Sequence, residues 1–197
     1  MIKTKEDLKY YLEQDRLALK KPRLTFARRV CQFFYPNEIW KFERLLRYTE
    51  YCCNCRSMLR IWYMWRFRRQ SIKLGFSIPI NVFGPGLSIA HYGTIVVNSH
   101  ARVGANCRIH VGVNIGKSGG GNNAPKIGDN CYIGPGAIIF GDINIANNIT
   151  IGANSTVNRS CDQERVVLAG TPAKVVKEQA KTWVEYNNMG DLNTSKK

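Results

Sequence analysis

Long apolar runs, acidic residues and histidines are all scarce in this sequence. No stretch approaches the roughly 18 apolar residues of a membrane-spanning helix. The polar opening Met1-Ile2-Lys3-Thr4-Lys5-Glu6-Asp7 lacks the apolar core of a signal peptide, so a cytoplasmic location is expected. Asp and Glu number 14 against 29 Lys and Arg. No zinc finger, recognition helix or RNA-binding aromatic signature accompanies that positive charge, so a noncatalytic scaffold or nucleic-acid-binding protein would rest on charge alone. The cysteine count of seven is odd and the spacing fits no disulfide framework, so free thiols are expected. Histidine occurs only at positions 91, 100 and 110, and none has a Ser or Cys neighbour in a recognisable nucleophile motif. Direct group transfer is therefore favoured over a covalent enzyme intermediate.

What is present is a repeat. An aliphatic residue recurs every six positions at Val97, Val103, Ile109 and Ile115, then at Ile127, Ile133, Ile139, Ile145, Ile151 and Val157. A helix would set apolar residues three and four apart, and a half-buried strand two apart over a short run. A sustained period of six instead predicts short strands joined by tight turns, with three hexapeptides making one triangular coil. The fourth residue after each aliphatic position is mostly small, including Ala101, Cys107, Cys131, Ala137, Ser155 and Cys161. A narrow prism has little room at its second inward position, so these three cysteines read as packing residues. The register breaks between Ile115 and Ile127, where Gly116 to Pro125 form a Gly-rich inserted loop.

Before Phe76 the pattern is helical and carries 18 Lys and Arg against 7 Asp and Glu, whereas Phe76 to Ala173 carries 6 against 4. A first helix is expected from Thr4 to about Lys21-Pro22 and a second, short one over Phe26 to Phe34. A third, capped by Asn37, is expected to run to about Gln70. Cys52-Cys53-Asn54-Cys55 lacks a second Cys or His cluster and reads as packing rather than a metal site. Arg56 to Arg69 interleaves aromatics with arginines, which suits peripheral contact with anionic lipid or, equally, a helix packed under the repeat or against a sister subunit with its arginines solvated. Beyond the repeat, Ala169 to Lys174 reads as a turn, Val175 to Tyr186 as a short helix, and Asn187 to Lys197 as a disordered tail. The expected organisation is an α-helical segment over 1–75, a β-helix over 76–173, and a helix and tail over 174–197.

Four motifs in order carry a family resemblance: Gly86-Leu87-Ser88-Ile89-Ala90-His91-Tyr92-Gly93-Thr94-Ile95-Val96-Val97; the Gly-rich loop ending Pro125-Lys126-Ile127-Gly128-Asp129-Asn130; Tyr132-Ile133-Gly134-Pro135-Gly136-Ala137; and Ala169-Gly170-Thr171-Pro172-Ala173-Lys174. They resemble the serine acetyltransferase branch of the hexapeptide acyltransferases. The resemblance implies a mainly β fold, a left-handed parallel β-helix. It also implies a homotrimer with active sites between subunits, whose N-terminal helices could join trimers in pairs. It implies acetyl-CoA as cosubstrate and His91 as the base that takes the acceptor's hydroxyl proton. Gly134, Pro135, Gly152 and Ala153 would lie along the pantetheine arm. Lys174, Lys177 and, from the loop, Lys117 would meet the coenzyme's phosphates. Tyr92, His110 and Asn123 are candidates for contacting the acceptor, although His110 reads more simply as an exposed turn residue.

The departures from the family pattern bear on the acceptor. An Asp before the catalytic His, an orienting Asp about one coil earlier and an Arg-His pair in the loop are replaced here by Ala90, approximately Phe76, and Asn123-Ala124. Loss of that arginine argues against an ionised amino acid. The expected acceptor is therefore a sugar hydroxyl, small-molecule or lipid-linked, in capsule or exopolysaccharide synthesis. Serine O-acetylation, as in cysteine biosynthesis, is the alternative. Histidines on a β-helix also suggest zinc, but His100 and His110 occupy different positions of the hexapeptide and point to different surfaces, so no metal is expected.

Overall fold

The computed structural model describes residues 1–22, 37–119 and 123–187. The short helix expected over Phe26 to Phe34, the tip of the Gly-rich loop and the tail beyond Asn187 lie outside those residues. Helix α1 is Lys5–Ala18, opened by a capping box in which Thr4 and Asp7 each satisfy the other's backbone N–H. Helix α2 is Glu38–Asn54, and Asn37 caps it by accepting a hydrogen bond from the Trp40 N–H at 2.8 Å.

The third helix expected to reach Gln70 is in fact two. The chain leaves α2 through Arg56, whose φ is +52°, and resumes as α3 over Arg60–Leu74. A single straight helix over this length would extend about 55 Å, far past the core it has to cover. Breaking it folds α3 back onto α2, with Phe42 and Phe67 ring centroids 5.4 Å apart and Tyr48 stacked on Tyr63 at 5.5 Å. Phe42, Leu46, Phe67 and Leu74 join one hydrophobic cluster with the repeat, so the helices are packed on the coil.

From Phe76 the chain winds a left-handed β-helix with three faces of short strands, parallel except for the last. One face stacks β1 (Phe76–Ser77), β3 (Ile95–Val97), β6 (Asn114–Gly116), β9 (Ile138–Phe140) and β12 (Thr156–Val157). A second stacks β4 (Arg102–Val103), β7 (Lys126–Ile127) and β10 (Asn144–Ile145). The third runs β2 (Ser88–Ile89), β5 (Arg108–Ile109), β8 (Tyr132–Ile133), β11 (Thr150–Ile151), β13 (Val167–Gly170) and β14 (Ala173–Lys177). Every aliphatic residue of the hexapeptide series is buried, as are Ala101, Cys107, Cys131, Ala137 and Ser155 in the small-residue slot. Burial pushes the Cys131 thiol up to about 12, so it packs as a neutral group.

One corner of the prism is held by side chains as well as backbone. Asn106, Asn130 and Asn148 take left-handed φ values of +54°, +57° and +62°, a conformation Asn tolerates. Their amides form a ladder in which Asn106 donates to Asn130 at 3.0 Å and Asn130 donates to Asn148 at 3.0 Å. Glu164 terminates it, accepting from Asn148 at 2.9 Å. At the C-terminal end the expected helix from Val175 is not formed. Val175 and Val176 instead lie in β14, which pairs antiparallel with β13, and only Trp183–Tyr186 is helical (α4). The β-branched pair completes the open edge of the sheet, a gain that outweighs local helix propensity.

Arg47 ties the helices to the first coil. Its fully buried guanidinium donates to Asp15 at 2.7 and 3.2 Å, to Glu50 at 3.0 Å, and to the carbonyls of Phe83 and Gly84 at 2.9 and 2.6 Å. Asp15 also accepts from the N–H groups of Gly86 and Leu87 at 2.8 and 2.9 Å. A charge this deep is tolerable because each donor of the guanidinium has a partner.

Candidate functional site

His91 is placed by the end of β2. The Ala90 N–H donates to the Ile109 carbonyl at 3.0 Å, after which the chain turns through Gly93 at φ +127°. A Cβ on Gly93 would sit 2.6 Å from Val111 Cγ2, so glycine is required for the turn to close against the next coil. His91 and Tyr92 are thereby lifted to the surface at a corner of the prism, with Tyr92 72% exposed.

The register Ile89, Ile109, Ile133, Ile151 sets Ala90, His110, Gly134 and Gly152 one above another along that corner. His110 is not the exposed turn residue expected. Its ring lies between those of His91 and Tyr132, with centroids 6.2 and 4.9 Å away, and its Nε2 is buried without a partner. Burial first, then the charges of Arg108 and His91, brings its pKa down to about 4, so it is neutral near pH 7.

Pro135 and Ala153 are exposed beside this corner, and Lys174 and Lys177 are exposed on β14 at the far end of the same face. Gly134 has a packing reason of its own: a Cβ there would meet Ala153 N and Ile151 O at 2.8 Å. Lys117 and Asn123 are not brought to His91. They follow β6 and precede β7, at a different corner of the prism, and Asn123 donates to Asp142 at 2.7 Å. Phe76 is buried edge-on against Phe42, with centroids 4.9 Å apart, and is unavailable to orient an imidazole.

Two features were missed in the sequence. The first is a groove of about 290 Å³ that reaches Ala90, the residue before His91, and is lined by Lys20, Lys21, Asn37 and Arg108. Arg108 donates to Ser88 Oγ at 2.9 Å and lies 6.0 Å from the Trp183 ring. Its outward place just before Ile109 was visible in the repeat, but the docking of α1 that makes a cationic groove of it was not. The second is Glu43, fully buried, whose Oε1 accepts from the Ile89 N–H at 3.1 Å while Oε2 has no partner. Burial, reinforced by the charge of Asp15, raises its pKa well above the ordinary carboxylate value. The available signal was a carboxylate on the apolar stripe of Phe42, Leu45 and Leu46. Among the described residues, no three of His, Cys, Asp and Glu gather as a metal site.

Residues 124–159 match the family described as bacterial transferase hexapeptide (six repeats). The serine acetyltransferase of Staphylococcus epidermidis is 37% identical over 100 residues, which cover 50% of this chain and 46% of the relative. The chain thus spans less than half the length of that relative. Among solved structures, the serine acetyltransferase of Brucella abortus in complex with coenzyme A superposes with a TM-score of 0.71 at 25% identity, covering 90% of this chain and 70% of that one. The soybean serine acetyltransferase complexed with serine superposes with a TM-score of 0.68 at 26% identity, covering 87% and 70%.

These likenesses correct the expected sugar acceptor, because the relatives and the superposed structures are serine acetyltransferases. The expectation tied the fate of a carboxylate to one loop position. The fold offers cations elsewhere, in Arg108, Lys20 and Lys21 beside Ala90. By its repeat, its coil and these likenesses, the chain is similar to the hexapeptide-repeat acyltransferases.

Proposed function

We propose that the protein is an acetyl-CoA-dependent serine O-acetyltransferase. The observation that carries the reading is an exposed histidine directly after Ala90, a residue that lines a cationic groove, on a coil similar to that of enzymes of that activity. In this reading Arg108, with Lys20 and Lys21, attracts the carboxylate of serine through charge-assisted contacts. His91 takes the proton of the serine hydroxyl as its oxygen attacks the thioester carbonyl. The new C–O bond forms, the C–S bond breaks, and the imidazolium returns its proton to the departing thiolate.

The coenzyme lies along the corner marked by Gly134, Pro135, Gly152 and Ala153, with Lys174 and Lys177 toward its phosphates. Lys117 and Asn123 sit at another corner, so they reach this site only from a neighbouring subunit. That separation supports a homotrimer with composite sites.

Thiol release from acetyl-CoA, measured with L-serine and with L-serine methyl ester, tests the reading. Wild type is expected to turn over L-serine, His91→Ala to lose about 10²–10⁴-fold in kcat, and Arg108→Met to raise KM for serine much more than for the ester. Absence of thiol release with L-serine would refute the function. Full activity of His91→Ala would remove His91 as the base.

A further inference from the structure

Helix α3 is apolar on two opposite faces. Tyr63, Phe67, Gln70 and Leu74 turn toward α2 and the start of the coil, buried or half-buried. At about 100° per residue, Ile61, Trp65 and Ile72 fall within one narrow ridge on the opposite side, and they are 74%, 54% and 73% exposed. Trp62 and Met64 flank that ridge and are exposed too. A helix that packs on its own protein needs only the first face.

The chemistry around the ridge is uniformly cationic. Arg68 lies within it, the Arg66 guanidinium sits 4.6 Å over Trp62, and that of Arg69 sits 5.0 Å over Trp65. Between Glu50 and Asp129 the sequence contains no acidic residue. Glu38, on the neighbouring helix, is engaged by Lys73 at 2.6 Å and Lys41 at 3.5 Å. Beside Arg66 a groove of about 240 Å³ opens between α2 and α3, lined by Lys41, Arg44, Tyr48, Tyr63 and Arg66, large enough for a phosphate headgroup.

We propose that this face of α2 and α3 docks the protein on an anionic lipid bilayer. Indole rings favour the water–hydrocarbon boundary because one edge is apolar and the N–H is wet. A basic amphipathic face then gains from the negative headgroups. In this arrangement Ile61, Trp65 and Ile72 enter the headgroup boundary, Arg66, Arg68 and Arg69 meet phosphates, and the groove holds one headgroup. A second copy of the chain is a poorer occupant, since pairing this face with itself sets Arg68 and Arg69 against their own copies without a carboxylate between them. The proposal is independent of the acceptor used in acetyl transfer.

The four tryptophans make it testable in the full chain, because Trp40 and Trp183 are buried while Trp62 and Trp65 are exposed. Co-sedimentation with phosphatidylcholine vesicles, with and without phosphatidylglycerol, is combined with fluorescence quenching by brominated lipid. The expected result is binding only to the phosphatidylglycerol vesicles, weakening as salt is raised. Quenching should disappear in Trp62→Phe/Trp65→Phe, and affinity should fall about 10-fold or more in Arg66→Gln/Arg68→Gln/Arg69→Gln. Circular dichroism confirms that the variants are folded. Failure to bind phosphatidylglycerol vesicles, or quenching that persists in the double Trp variant, overturns the proposal. So does self-association that the double Trp variant abolishes without any lipid binding, which would assign the face to a second copy.

Discussion

Two histidines one coil apart share a corner, yet their environments divide their roles. His91 reaches solvent at a turn held open by Gly93, whereas His110 is half-buried with its Nε2 unpartnered. With the His110 pKa at about 4 in the folded chain against 6.5 unfolded, the unfolded chain binds the proton first as pH falls. Stability is therefore present above the unfolded value and lost as pH drops through 6.5 toward 4. After discounting for solvent screening of a half-buried ring, the loss is on the order of 1 kcal/mol. Urea unfolding at pH 7 and pH 4.5 should show wild type losing more stability than His110→Gln. Equal losses would mean that the ring is solvated in solution.

At the scale of elements, the join between helices and coil depends on charge. Arg47 holds Asp15 from α1, Glu50 from α2 and two carbonyls of the first coil, all away from water. Removing one member of such a set strands the others, so Arg47→Ala is expected to cost about 3–5 kcal/mol. The readout is a lower urea midpoint with an unchanged slope, together with detachment of the helical signal if the coil survives alone. A cost below 1 kcal/mol would mean that Asp15 and Glu50 find water in the variant. The break before α3 belongs to the same scale, because the sequence alone predicts one helix across α2 and α3. The sequence of α3 continues the helical pattern of α2, and nothing local says that the chain must reverse at Arg56. The reversal is favoured by contacts such as Tyr48 on Tyr63, which exist only after folding.

For the whole molecule, the triangular coil sets residues expected at one site on different corners. His91 sits at one corner, and Lys117 and Asn123 sit at another. If sites form between subunits, two inactive chains should complement each other. Co-expression of His91→Ala with a variant shortened between Gly116 and Ala124 should restore serine turnover in mixed trimers, while each alone stays inactive. Light scattering on the same samples gives the subunit count. No recovery in confirmed mixed trimers would place the whole site within one chain.

The sequence by itself determined the coil. A six-residue period with a small fourth position is a local rule, repeated often enough that Ile109, Ile133 and Ile151 could be assigned to the interior and Cys107 and Cys131 to packing. It also singled out His91 through its motif. Tertiary structure alone decided what lies beside Ala90, the residue before that histidine, because the groove of Lys20, Lys21 and Arg108 joins residues that follow α1 to a residue of β5, which no periodicity relates. It decided the fate of Val175 and Val176, whose strand exists because β13 offers an open edge. It also exposed the outer face of α3, since whether Trp62 and Trp65 are core or surface depends on what packs against them. Repetition writes short-range order into a sequence, whereas sites and surfaces arise from long-range contacts that leave no periodic trace.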